Sequence, residues 1–266
     1  MRTLIDRFLI RAEEISASPK ILRTIQQLKK FDQHNSAMVA ECLEQWRIKS
    51  ASNEEHAILK MISDRRSTME DKNEIIEIDD FGAGFNGKKK QVNIGQIAVQ
   101  NSRSHSWLSL MFRLVRTLKP TTMLELGTCL GISGMYCASA LRLNGNGTLV
   151  TIEGAESYAN IAKENFTSLQ LNNVVQYTGR FSDALDSVLK QHAPIDFVFI
   201  DGHHDGEATI RYFEKIYPSL APSSWIIFDD ISWSSGMKRA WKTIASDPRI
   251  TFSADLSLIG ICHLTR

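Results

Sequence analysis

The chain has 266 residues, with 31 Lys and Arg against 30 Asp and Glu, and a formal net charge of +1. That length suits one large α/β domain with an appendage, or two small domains, and 43% hydrophobic with 23% charged residues is an ordinary globular balance. Near-neutral charge argues against nucleic-acid and membrane-surface partners, no apolar stretch is long enough to span a bilayer, and Cys42, Cys129, Cys137 and Cys262 form no C-x-x-C pair, so reduced thiols in a cytoplasm are expected.

Up to about residue 70 apolar residues recur at helical spacing: Leu4, Ile5, Phe8 and Leu9; Ile21, Leu22, Ile25 and Leu28; Met38, Val39, Cys42, Leu43 and Trp46. Asp6 and Arg7 interrupt Leu4 to Ile10, so that stretch does not read as a signal-peptide core. Ser52-Asn53-Glu54-Glu55 opens another helix, with Ala57, Ile58, Met61 and Ile62 on its buried face. Residues 1–73 therefore read as a helical extension without visible chemistry: a cap, a surface pairing two copies, or a lid over a substrate. Glu74 to Asp80 alternates weakly, and the glycines and lysines from Phe81 to Lys90 predict a mobile loop. Lys88, Lys89 and Lys90 are either solvated or turned toward an anionic substrate. Ser102 to Leu118 has a helical pattern, closed by Pro120.

The next stretch, Thr121 to Gly134, runs Thr-Thr-Met-Leu-Glu-Leu-Gly-Thr-Cys-Leu-Gly-Ile-Ser-Gly. An apolar run ends beside Glu125, breaks at Gly127, Gly131 and Gly134, and leads into an amphipathic segment. This predicts a buried parallel strand, a tight glycine turn and a helix start. Glycine permits close backbone approach and positive φ, while the helix start offers unpaired N–H groups to an anion. A dinucleotide fingerprint needs G-x-G-x-x-G, with a glycine against the pyrophosphate. Here the spacing is Gly127-x-x-x-Gly131. Glu125 before the turn would repel a pyrophosphate but suits a cationic amino or sulfonium group. S-adenosylmethionine carries both, plus a carboxylate for the helix start.

Strand and helix patterns then alternate. Strands are predicted at Thr148–Glu153, Val174–Thr178, Ile195–Asp201 and Trp225–Asp229, and an antiparallel pair at 250–254 and 258–264 closes the chain. Helices are predicted near 156–169, 182–190, 207–217 and 236–246. Repeated β-α units imply an α/β fold, a Rossmann-like doubly wound, mostly parallel seven-stranded sheet with an antiparallel last strand. Ligands bind such sheets beyond the carboxyl ends of the strands. Glu125, Glu153, Asp201, and Asp229 with Asp230 all fall at that edge. Glu153 lies about 26 residues beyond Gly127, where a carboxylate accepts hydrogen bonds from ribose hydroxyls. Asp201, Asp229 and Asp230 would repel one another unless something positive stands among them, and a divalent cation such as Mg2+ is one candidate, with helix caps and salt bridges as the other readings. His203 and His204 follow Asp201, and a histidine there can serve as a base near neutral pH.

These residues together resemble a class I S-adenosylmethionine-dependent methyltransferase over roughly residues 75–266. Glu125-Leu-Gly-Thr-Cys-Leu-Gly is similar to the family's first motif and Ile152-Glu153-Gly154 to its second. The resemblance implies that Glu125, Gly127, Thr128, Gly131, Ser133, Glu153 and Gly154 hold the methionine and ribose parts. Phe181 and Ser182 are similar to the loop flanking the adenine, with Asp201 and His203 beside it. Ile200-Asp-Gly-His-His-Asp205 and Phe228-Asp-Asp-Ile231 resemble the cation-dependent O-methyltransferase branch, which includes the catechol and caffeoyl-CoA enzymes. That branch implies metal ligands at Asp201, Asp229 and Asp230, and catalytic roles for Asp201 and His204. Asp230 stands where the branch has asparagine, and His204 where it has a lysine base. The implied protein is an S-adenosylmethionine-binding domain over 74–266 that methylates a small-molecule hydroxyl without nucleic acid or membrane, its N-terminal helices available to form a homodimer. A non-catalytic cofactor-binding protein and a nicotinamide oxidoreductase are the rival readings.

Overall fold

The computed structural model describes residues 19–30, 34–81 and 87–265, so the expectations for Leu4 to Ile10 and for 82–86 lie outside the described residues. Helix α1 covers residues 19–28. It is followed by α2 (His34–Arg47), α3 (Asn53–Glu70), β1 (Ile75–Asp80), β2 (Lys88–Asn93), α4 (Ile94–Gln100) and α5 (His105–Leu118). The alternating part comprises β3 (Thr122–Leu126), α6 (Ile132–Leu143), β4 (Thr148–Glu153), α7 (Glu156–Ser168), β5 (Val174–Thr178), α8 (Phe181–His192), β6 (Ile195–Ile200), α9 (Gly206–Ile216), β7 (Leu220–Phe228), α10 (Ser235–Ala245), β8 (Ile250–Asp255) and β9 (Gly260–Thr265).

The main sheet has seven strands in the order β5-β4-β3-β6-β7-β9-β8, parallel from β5 to β7 and antiparallel beyond. This is the α/β architecture expected from the repeated units. Its central strands are apolar on both sides because both faces are covered. Phe197 and Phe199 join one buried cluster, while Val198 and Ile200 join the other with Phe213 of α9 and Leu185 of α8. The first cluster also contains Leu28, Leu43 and Ile62 of the N-terminal helices, together with Trp107 of α5 and Met135 of α6. Trp46 Nε1 donates to the Ser106 carbonyl at 2.8 Å and its ring lies 5.3 Å from that of Trp107. The N-terminal layer is thus part of the same core as one face of the sheet. Among the described residues no helix is long and apolar enough to cross a membrane.

Two local expectations change. Lys88, Lys89 and Lys90 form a strand rather than a mobile loop, because β2 pairs antiparallel with acidic β1: Lys89 stands opposite Asp79, and its Nζ reaches Glu77 at 2.6 Å. The helix predicted from Ser102 begins only at His105, where the Ser104 hydroxyl caps Trp107 N–H at 3.4 Å. Arg103 consequently lies in the connection between α4 and α5.

Candidate active site

Strand register assembles the site. Leu126 pairs with Ile152 and Ile200, and Ile200 pairs with Phe228. The residues that follow, Gly127, Glu153, Asp201 and Asp229, therefore form one row at the carboxyl edge. Asp201 N–H donates to Leu126 O and Asp229 N–H to Ile200 O, both at 2.9 Å, and Gly127 N–H donates to Ile152 O at 3.1 Å. The row floors a crevice of about 1010 Å³, room for a ligand of cofactor size together with a second small molecule. It opens beside β3, where the strand order reverses.

The glycine turn has the geometry its spacing predicted. Gly127 has φ +105°, and a Cβ there would lie 2.2 Å from the Asp201 carbonyl oxygen. The turns after β3 and β6 are thus pressed backbone to backbone, which only glycine permits. Gly131, at φ +77°, caps α6 without a side-chain hydrogen bond, leaving backbone donors at that helix start. Thr128 lines the crevice and its hydroxyl meets that of Thr151 at 2.5 Å.

The first two acids have different places. Glu125 is 0% exposed and does not line the crevice. It accepts from the Ser133 hydroxyl at 2.6 Å and the Thr151 hydroxyl at 2.7 Å. The expected direct meeting of Glu125 with a cationic ligand is therefore corrected: the acid braces β3, β4 and α6 from below, and its Ser133 partner lies at the crevice wall. Burial raises its pKa to about 7, against the pull of the two hydroxyls. Glu153 does line the crevice; its two oxygens accept from Cys129 N–H at 2.7 Å and Ala155 N–H at 2.8 Å, which fixes the carboxylate beside the turn. Gly154 is closely covered by Phe81, and the Arg180 guanidinium stacks on that ring, 4.6 Å from its centroid.

Asp201, Asp229 and Asp230 do come together, and the positive group among them is Arg103. Its Nε lies 2.9 Å from both Asp229 oxygens, and Nη2 reaches Asp229 at 2.8 Å and also binds Asp230. Burial opposes the guanidinium charge, but Asp229, Asp230 and Asp201 outweigh it and raise the Arg103 pKa. Burial and the neighbouring Asp229 push the Asp201 carboxyl well up, so it holds its proton more tightly than a free aspartate. Among the described residues no group of three or more His, Cys, Asp or Glu is arranged to hold a metal ion. The expected cation site at Asp201, Asp229 and Asp230 does not fit these side chains, because two of the three carboxylates, Asp229 and Asp230, are already hydrogen-bonded by the Arg103 guanidinium.

His204 Nδ1 lies 3.4 Å from Asp230 Oδ2, and His203 Nδ1 lies 2.7 Å from the Tyr212 hydroxyl. Burial lowers the His203 pKa. His203, His204 and Asp230 all have positive φ, at 69°, 43° and 54°, so three non-glycine residues at one edge hold a conformation that side chains disfavour. Phe181 stands edge-on to Tyr212 at 5.5 Å and lines the crevice with Ser182, whose hydroxyl turns to Asp183 at 2.7 Å. Trp233, 71% exposed, stands at the rim.

Sequence reasoning missed Arg103, Tyr212 and the buried Arg66. Arg66 donates to the Arg103 carbonyl at 2.7 Å and to Glu70 at 2.7 Å, tying α3 to the loop that carries Arg103. The one available signal was the demand of three convergent acids for a positive partner, which names a charge but no residue.

Residues 124–231 match the family described as a methyltransferase domain. A catechol O-methyltransferase from Niastella koreensis is 32% identical over 120 residues. That match takes in 44% of this chain and 52% of that protein, so the chain spans about half the length of the curated relative it matches. The O-methyltransferase from Bacillus cereus, crystallised with SAH, is 26% identical with a TM-score of 0.54, over 63% of this chain and 84% of that one. A structure from Klebsiella pneumoniae is 17% identical with a TM-score of 0.57, over 82% of this chain and 92% of its own; at that identity the likeness concerns fold alone. Residues 124–231 thus match a methyltransferase-domain family, and the sheet is similar to that of the Bacillus cereus O-methyltransferase.

Proposed function

We propose that this protein is an S-adenosylmethionine-dependent methyltransferase acting on the hydroxyl of a small molecule. One observation carries the reading. Strand register sets Gly127, Glu153, Asp201 and Asp229 in a row along a crevice of about 1010 Å³, within a methyltransferase domain. The cofactor, when bound, supplies a methyl group on a sulfonium. The turn from Gly127 to Gly131 receives its amino-acid end, Glu153 accepts from its ribose hydroxyls, and Phe181 with Ser182 borders its base. Holding an acceptor oxygen in line at near-attack distance is the protein's main contribution. His204 takes the hydroxyl proton, and Asp230 beside it stabilises the resulting imidazolium. A cytoplasmic setting is supported by four free thiols, and a homodimer through the N-terminal helices by exposed Leu22, Ile48 and Met61.

Titration calorimetry tests the cofactor. S-adenosylhomocysteine is expected to bind and NADH is not, and the reverse result would end this reading in favour of an oxidoreductase. Transfer of a labelled methyl group to phenols and catechols then tests the activity. Cofactor binding without transfer to any hydroxyl would leave a non-catalytic binding protein.

A further inference from the structure

Three carboxylates at the acceptor end of the crevice need a positive partner, and Arg103 provides it from the connection between α4 and α5. Its side chain is 16% exposed and Arg103 lines the crevice. Nε and Nη2 are committed to Asp229 and Asp230. Nη1 makes no hydrogen bond to the described residues and retains two donors. Leu108 and Trp233 line the same crevice, apolar surface that suits an aromatic acceptor. The loop is not free to vacate the position, because Arg66, itself 3% exposed, grips the Arg103 carbonyl.

We propose that Arg103 stands in for a divalent cation in this enzyme: its free Nη1 holds the oxygen of an ionisable aromatic hydroxyl, and methyl transfer proceeds without metal. The proposal rests on the methyltransferase reading. In the step it describes, the hydroxyl proton goes to His204, the oxygen–carbon bond forms, and the sulfur–carbon bond breaks with its electron pair left on sulfur. A guanidinium stabilises the oxygen's developing negative charge by charge-assisted hydrogen bonds, as an oxyanion site does. It differs from a cation in being tethered and planar, so it favours a flat acceptor lying in its own plane.

Mn2+ serves as the probe, read by electron paramagnetic resonance with and without S-adenosylhomocysteine. The parent protein is expected to leave Mn2+ free, and EDTA is expected to change its methyl transfer to catechol by less than about two-fold. R103A and R103Q are expected to lose about 100-fold or more in transfer, while S-adenosylhomocysteine affinity shifts by less than about three-fold. Both variants should also take up Mn2+, since Asp201, Asp229 and Asp230 then regain open oxygens. Mn2+ bound by the parent and lost in D229N, EDTA inhibition reversed by Mg2+, parental transfer in either Arg103 variant, or no Mn2+ uptake by both would each overturn the proposal. The Mn2+ measurement on the parent needs no variant to fold. It also reads out independently of catalysis, so failure of S-adenosylhomocysteine to bind would count against the methyltransferase reading and not against the placement of Arg103.

Discussion

Glu125 shows how one buried acid couples the site to pH. Its two hydroxyl partners belong to α6 and β4, so its carboxyl ties the glycine turn to the neighbouring strand. Its pKa rises from 4.5 to about 7 in the folded chain, chiefly through burial. The folded state therefore binds more protons than the unfolded state between those values. The associated stability is fully present below pH 4.5, and is lost as pH rises through about 7. The whole effect is on the order of 3 kcal/mol. Asp201 and Asp230, also raised, contribute in the same direction. Urea unfolding at pH 5 and pH 8 should show the parent losing stability at the higher pH, and Glu125→Gln should lose distinctly less; an unchanged difference would show that Glu125 titrates alike in both states.

At the scale of elements, α3 acts on the site without touching the crevice. The Ser52 and Glu55 capping box fixes its start, and Arg66 near its end is buried with three partners: Glu70 at 2.7 Å, the Arg103 carbonyl at 2.7 Å and the Ala98 carbonyl at 3.5 Å. Removing the guanidinium takes away these three buried hydrogen bonds at once, a loss of about 3 kcal/mol by comparison with other broken buried pairs. Arg66→Met is expected to lower stability by that order. It should also speed amide exchange across residues 101–104 more than across β3, with kcat falling further than cofactor affinity. Uniform exchange throughout the chain would show that Arg66 stabilises the fold generally and does not position Arg103.

For the molecule as a whole, the division at residues 73/74 follows the sequence's change of character, but the core runs across it. Leu28, Leu43, Ile62 and Met69 are fully buried in the cluster that holds Trp107, Phe112 and Met135. Deleting residues 1–73 would expose that side of α5 and α6 to water. The shortened chain is expected to be insoluble, or to lack near-ultraviolet circular dichroism and S-adenosylhomocysteine binding; a folded, binding-competent fragment would establish 74–266 as an independent domain. The strands, the glycine turn and the row of acids were legible in the chain because each is written in short-range pattern. A buried strand is a run of apolar residues, a tight turn needs glycine, and parallel register carries every strand tip to one edge. The partner of those acids was not legible: Arg103 meets Asp229 across 126 residues, from a position that the pattern assigned to the start of a helix. The same holds for Glu125, which the linear order places beside the ligand and the packing of Ser133 and Thr151 draws beneath it. Local periodicity is set by backbone geometry and by which face meets water, so sequence alone determined the sheet and its binding edge. Which charge meets which depends on how distant segments pack, and only the tertiary structure decided that Arg103 is the positive group that meets Asp229 and Asp230.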